Sequence, residues 1–133
     1  MKAQIEYEKI AKLILNCAFE VHKELGPGLL ESVYQVCLIE ELIKKGLKVQ
    51  CQAKLPVHYK GKKLEKDFFI DILVEDIIII ELKSIEIMLP VHEVQLLTYM
   101  KLANIKLGFL LNFNVPYLKE GIRRKVNNYF FAS

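Results

Sequence analysis

Asp71, Glu81 and Lys83 stand within IDILVEDIIIIELKS, residues 70–84, a stretch whose isoleucines fall on both faces of a strand and so belong in the middle of a sheet. An unpaired charge buried there costs on the order of several kcal/mol, so these charges either reach a rim or converge on something. Glu81 and Lys83 are two apart on one strand and must project from the same sheet face, with Ile78, Ile80 and Leu82 on the other. Two carboxylates and a lysine at one place suit metal-dependent hydrolysis of a phosphodiester. Carboxylates supply the hard oxygen ligands that magnesium takes, the ion activates water and offsets charge on phosphate, and the lysine orients the water or steadies the phosphorane. The plainer reading of E-x-K is an ion pair at a strand end.

Whether Asp71 joins Glu81 depends on register. A strict two-residue turn at Glu75-Asp76 would pair Val74 with Ile77 and turn Asp71 and Glu81 to opposite faces. A three-residue turn at residues 75–77, or one bulge near Asp71 or Glu81, flips the parity and brings them together. The constellation therefore demands an irregularity, and one is expected.

Further polar residues lie where such a site could use them. His92, Gln95 and Tyr99 share one helical stripe, and Gln95 and Tyr99 are an i, i+4 pair. The apolar setting VQLL makes Gln95 an amide in need of partners. Glu31 follows Gly26-Pro27-Gly28 directly, with Tyr34 one turn later. Stabilisation of a helix N-terminus accounts for Glu31 without function; the functional alternative is a third acid aimed at Asp71 and Glu81.

The elements that would hold these residues follow from hydrophobic spacing. Ile10, Leu13, Ile14, Cys17, Val21 and Leu25 predict an amphipathic helix over residues 5–25, broken by Gly26-Pro27-Gly28. A second helix is expected from about residue 29 to 45, stopping at Gly46. Residues 47–59 alternate as a strand, Lys60-Gly61-Lys62 reads as a turn, and a second strand runs through Val74. A third strand covers 77–84, Pro90 opens a helix to about Ala103, and 106–113 form a buried strand. Leu118, Ile122, Val126 and Tyr129 suggest a final helix over 117–130. This order predicts one α+β domain, residues 1–133, an α/β sandwich with a mixed sheet.

Composition fits that reading. The chain of 133 residues is 53% hydrophobic and 26% charged, a globular balance that argues against disorder. MKAQIEYEKIAK does not resemble a signal peptide and no apolar run approaches a membrane span, so a cytoplasmic protein with no membrane partner is expected. Cys17, Cys37 and Cys51 are odd in number and far apart, which suggests neither a disulfide framework nor a zinc site. The net charge of +3 is too small to declare a nucleic-acid partner. Its two clusters, Lys60, Lys62, Lys63 and Lys66, and Lys119, Arg123, Arg124 and Lys125, are accounted for by a solvated loop and a solvated helix face.

Taken together, GLLESVY around Glu31 and Tyr34, then Asp71, then Glu81-Leu82-Lys83, then HEVQLLTY from His92 to Tyr99, resemble the GxxExxY protein family, a branch of the PD-(D/E)XK nucleases. The resemblance implies a restriction-endonuclease-like core in which a mixed four-stranded sheet is flanked by helices. It implies that Asp71 and Glu81, with the Leu82 backbone carbonyl, ligate Mg2+ (or Mn2+), that Lys83 assists the nucleophilic water, and that Glu31 completes the inner or outer shell. Gln95 and Tyr99 match the helix motif that supports the site and contacts nucleic acid, with Tyr34 and His92 as further supporting positions. Isoleucine, not proline, precedes Asp71. The expected function is a magnesium-dependent nuclease acting on DNA or RNA; the alternatives are a silent nuclease-fold module that binds nucleic acid or protein, and a phosphohydrolase of small substrates. Three buried charges are expensive to keep for structure alone, which favours catalysis. A lone nuclease gripping a duplex would carry a stronger basic stripe, which a homodimer or partner subunit could supply.

Overall fold

In the computed structural model, which describes residues 3–130, the apolar stripes of the first two helices fold onto one face of a sheet. Helix α1, Gln4–Leu25, buries Tyr7, Ile10, Ile14, Cys17 and Val21, and ends at Gly26, whose left-handed φ of 69° lets its N–H return to the His22 carbonyl. Helix α2, Glu31–Lys44, buries Tyr34, Leu38 and Leu42 at its own one-turn spacing. Among the described residues no helix is long and apolar enough to cross a membrane.

Five strands follow: β1, Val49–Tyr59; β2, Lys62–Val74; β3, Ile78–Lys83; β4, Leu107–Asn112; and β5, Ile122–Val126. They lie side by side in chain order, with every pair antiparallel except β3 and β4, which the helix α3, Pro90–Ala103, connects as a parallel crossover. All of LGFLLN in β4 is buried, and all of β3 save Lys83, as expected for the covered centre of a sandwich.

The two sheet faces have separate cores. Ile72, Val74, Ile78, Ile80, Leu82, Phe109 and Leu111 pack under α1 and α2. Ala53, Ile70, Ile79 and Leu110 pack against Leu96 and Met100 of α3. Each such side chain contributes roughly 1.5–3 kcal/mol by leaving water. Gly108 sets the distance of α3: a Cβ there would meet Met100 Sδ at 2.8 Å and Leu96 Cδ1 at 3.1 Å. The helix that carries Gln95 and Tyr99 therefore rests directly on β4.

The tail departs from expectation. Instead of a helix over 117–130 it forms a 3-10 turn, Leu118–Gly121, and the fifth strand, so the sheet has five strands rather than four. IRRKV satisfies both layers at a period of two. Arg124 grips Glu8 of α1 through two nitrogens, at 2.6 and 3.2 Å, and Tyr129 donates to the same carboxylate. Lys125 and Arg123 reach Glu93 of α3, at 2.7 and 3.7 Å. The apparent helical stripe misled because the cations between its members were serving as alternating strand positions.

Candidate active site

The turn after β2 decides the geometry. Ile72 pairs with Ile80, Leu73 with Ile79 and Val74 with Ile78, which leaves a three-residue turn, residues 75–77, and sets Asp71 opposite Glu81 one step further on. Glu75 and Asp76 both take left-handed backbone conformations, φ 52° and 61°. They are held there from the start of β1: the Lys48 N–H donates to Glu75 at 2.5 Å, and the Lys48 ammonium and Gln50 amide donate to Asp76 at 2.8 and 2.9 Å.

A second irregularity lies beside Asp71. Ile70 and Ile72 are two apart yet belong to opposite cores, and the β1–β2 register passes from Cys51↔Ile72 to Ala53↔Ile70 over Gln52, whose φ is 51°. Gln52 donates its amide to Asp71 Oδ1 at 3.3 Å and to Gln35 of α2 at 3.4 Å. Neither Gln35 nor Gln52 was singled out from sequence. Their signal was faint: a polar residue following Tyr34, and the QCQ break in the alternation of β1.

Asp71 and Glu81 are tied through the backbone. The Asp71 N–H donates to Glu81 Oε1 at 3.1 Å, and the Leu82 N–H donates to Asp71 Oδ2 at 2.8 Å. Glu81 is only 9% exposed. Burial, then the adjacent Asp71 charge and a hydrogen bond with its carboxyl, push Glu81 up from 4.5 to about 8, against smaller opposing pulls from the Asp71 N–H and then from Lys83. Lys83 ends β3 on the Glu81 face, half-buried.

The residue after it joins the site to the first helices. Ser84 donates its hydroxyl to the Leu29 carbonyl at 2.5 Å, which fixes the start of α2 against the exit of β3. Tyr34 is fully buried, stacks on Phe113 at 4.5 Å, donates to the Gly26 carbonyl at 2.5 Å and accepts from the Leu29 N–H at 3.1 Å. It organises the Gly26-Pro27-Gly28 loop and is out of reach of nucleic acid. Glu31, the first residue of α2, is exposed, and among the described residues no three His, Cys, Asp or Glu side chains come together closely enough to hold a metal. The structure thus pairs Asp71 with Glu81 and leaves Glu31 outside the pair, because the first turn of α2 opens toward solvent.

Helix α3 supplies Tyr99 and Gln95. The Gln95 amide donates to the Tyr99 hydroxyl at 3.1 Å, and burial together with the charges of Glu81 and Asp71 raises the Tyr99 phenol. Gln95 is exposed rather than enclosed by its apolar neighbours. His92 caps the helix, its Nδ1 accepting from the Leu89 N–H at 3.0 Å, which leaves that nitrogen nothing to offer a substrate. The buried Asn112 accepts from the N–H groups of Ile85 and Asn114 and donates to the Ile85 carbonyl, bracing the loop that leaves β3.

Against known proteins, a model of the PD-(D/E)XK nuclease superfamily matches residues 8–125. The chain belongs to the PD-(D/E)XK nuclease superfamily. No curated protein and no solved structure matches it.

PD-(D/E)XK nucleases typically use divalent metals, and the donor atoms present suit one. Both groups of the pair are carboxylates, each with one oxygen oriented by a backbone N–H, and the burial and like charge that oppose ionisation of Glu81 are what a bound cation would offset. An all-oxygen set of this kind suits a hard divalent ion.

Proposed function

We propose that this PD-(D/E)XK chain is a divalent-metal-dependent nuclease that hydrolyses phosphodiester bonds of DNA or RNA. The observation that carries this reading is the Asp71–Glu81 pair, Glu81 buried and Asp71 half-buried, with Lys83 two residues beyond Glu81 on the same face. In it, Asp71 and Glu81 would hold Mg2+ or Mn2+, with help from the Leu82 backbone carbonyl. The ion, when bound, supplies Lewis acidity and positive charge to the scissile phosphate.

The rest of the work falls to the chain. Lys83 orients the attacking water and donates to a phosphate oxygen. Water adds to phosphorus, the bond to the bridging oxygen breaks, and the departing oxygen leaves as a hydroxyl. Gln52 keeps Asp71 in its rotamer, and Tyr99, steadied by Gln95, borders the site and contacts the nucleic-acid backbone. Glu31 acts from the outer shell, at the helix start pinned by Ser84 and Tyr34. The GLLESVY segment has its use here: Tyr34 builds the loop that delivers Glu31 to the exit of β3. The whole chain acts as one domain, free in the cytoplasm.

The reading is tested by incubating the protein with single- and double-stranded DNA and RNA, with Mg2+, Mn2+ or EDTA. Cleavage that needs the ion and is lost in Lys83→Ala supports it. Cleavage that persists at the wild-type rate in Lys83→Ala or in EDTA refutes it, and a folded protein inert on every substrate leaves a binding module.

A further inference from the structure

The chain's positive charge has one address. β2 pairs with β3 only over Ile72–Val74, so residues 54–69 of β1 and β2 extend past the sheet as a two-stranded arm paired to itself. The arm carries five lysines against Glu65 and Asp67, a formal +3, and the remaining 14 cations and 14 acids of the chain cancel. Three of the four cations of the second basic cluster are committed elsewhere, since Arg124 is held by Glu8 and Lys125 and Arg123 by Glu93. Lys60, Lys62, Lys63 and Lys66 are exposed along the arm and its tip.

The same arm displays aromatic rings. Phe68 is 41% and Phe69 53% exposed, so both present open ring faces beside the lysines. Phe68 lies 6.0 Å from the Tyr99 ring, and Tyr99 feels the charges of Glu81 and Asp71. Phe69, its neighbour in the strand, points to the other face, opposite Lys54 in the register. Of the two phenyl rings, Phe68 is therefore the one beside Tyr99, on the strand that delivers Asp71.

We propose that the β1–β2 arm binds single-stranded nucleic acid, with a base stacked on Phe68 beside Tyr99 and the phosphates tracked by Lys60, Lys62, Lys63 and Lys66. Interleaved lysines and open rings suit an unpaired strand, because every base offers a π-face once it is unstacked, whereas a duplex presents phosphates and would leave the phenyl rings against charge. The arm makes single strands, or single-stranded ends and loops, the preferred substrate; this rests on the nuclease reading given above.

Fluorescence anisotropy with a labelled oligothymidylate and a duplex of equal length, both in EDTA, reads binding without cleavage. The oligothymidylate binds more tightly than the duplex, Phe68→Ala weakens it roughly tenfold, and Phe68→Trp retains it. Combining Lys62→Ala, Lys63→Ala and Lys66→Ala flattens the dependence of log affinity on log salt by about 2. Circular dichroism confirms that each variant is folded. Equal affinity for the duplex, or Phe68→Ala and Phe68→Trp both binding as wild type, overturns the proposal, as does sedimentation showing that the arm instead joins two copies of the chain. Cleavage lost in Asp71→Asn while binding ignores Phe68 refutes the arm alone. Cleavage indifferent to Asp71→Asn refutes the nuclease site and leaves the arm standing.

Discussion

Asp71 and Glu81 face each other across β2 and β3, and each holds the other's strand: Asp71 donates its N–H to Glu81, and Asp71 accepts the N–H of Leu82. Two acids so placed repel, and that repulsion has consequences that can be measured.

The first concerns stability without metal. Glu81 binds its proton more tightly folded, at about 8, than unfolded, near 4.5. Its contribution is thus fully present below 4.5 and is lost as pH rises toward 8, on the order of a few kcal/mol. Denaturant midpoints of the EDTA-treated protein should fall across that window, while Glu81→Gln flattens the curve. Parallel curves would mean that Glu81 ionises normally.

Metal binding should reverse that sign. Because Glu81 must ionise to hold a cation, calorimetric Mn2+ affinity should weaken by roughly tenfold per pH unit below about 8, with one proton released. Affinity that is flat between pH 6 and 8, at roughly the scale of ordinary carboxylate sites, would separate Glu81 from the ion.

Tyr34→Phe tests the loop that carries Glu31. Removing a fully buried hydroxyl that serves Gly26 and Leu29 should cost about 1–3 kcal/mol in chemical denaturation. A loss under about 0.5 kcal/mol would show that water replaces it.

Arg124→Ala tests the tail. The Arg124–Glu8 pair is partly exposed, with 38% and 45% of the two side chains accessible, so its loss should cost at most about 1 kcal/mol and less in high salt. Glu8 is held below the usual carboxylate range by Arg124 and Tyr129, so this contribution is present above 4.5 and fades as pH falls below it. Nucleic-acid affinity should not change; a clear drop would return β5 to the binding surface.

The large elements were legible because hydrophobic period reports burial directly. α1, α2, α3 and the first four strands fall close to where Ile10–Ile14–Cys17–Val21, GFLLNF and their counterparts place them. Asp71 could be assigned to the Glu81 face only conditionally, since parity depends on how many residues a turn contains. That number is set by Lys48 and Gln50, far away in sequence, which hold Glu75 and Asp76 in left-handed conformations. Gln52 was hidden for the same reason, its role depending on a backbone angle that glutamine rarely adopts. The tail was misread because IRRKV alternates toward carboxylates on two different helices, and ion pairs leave no periodic hydrophobic trace.

The most direct measurement is single-turnover cleavage by wild type, Asp71→Asn and Glu81→Gln, each shown to be folded, with Mg2+ or Mn2+ at saturating protein. The pair as metal holder predicts cleavage by wild type alone, abolished by EDTA and reduced at least about a hundredfold in each variant, a loss on the scale of removing one catalytic charge. Cleavage by Asp71→Asn or Glu81→Gln at the wild-type rate would contradict it.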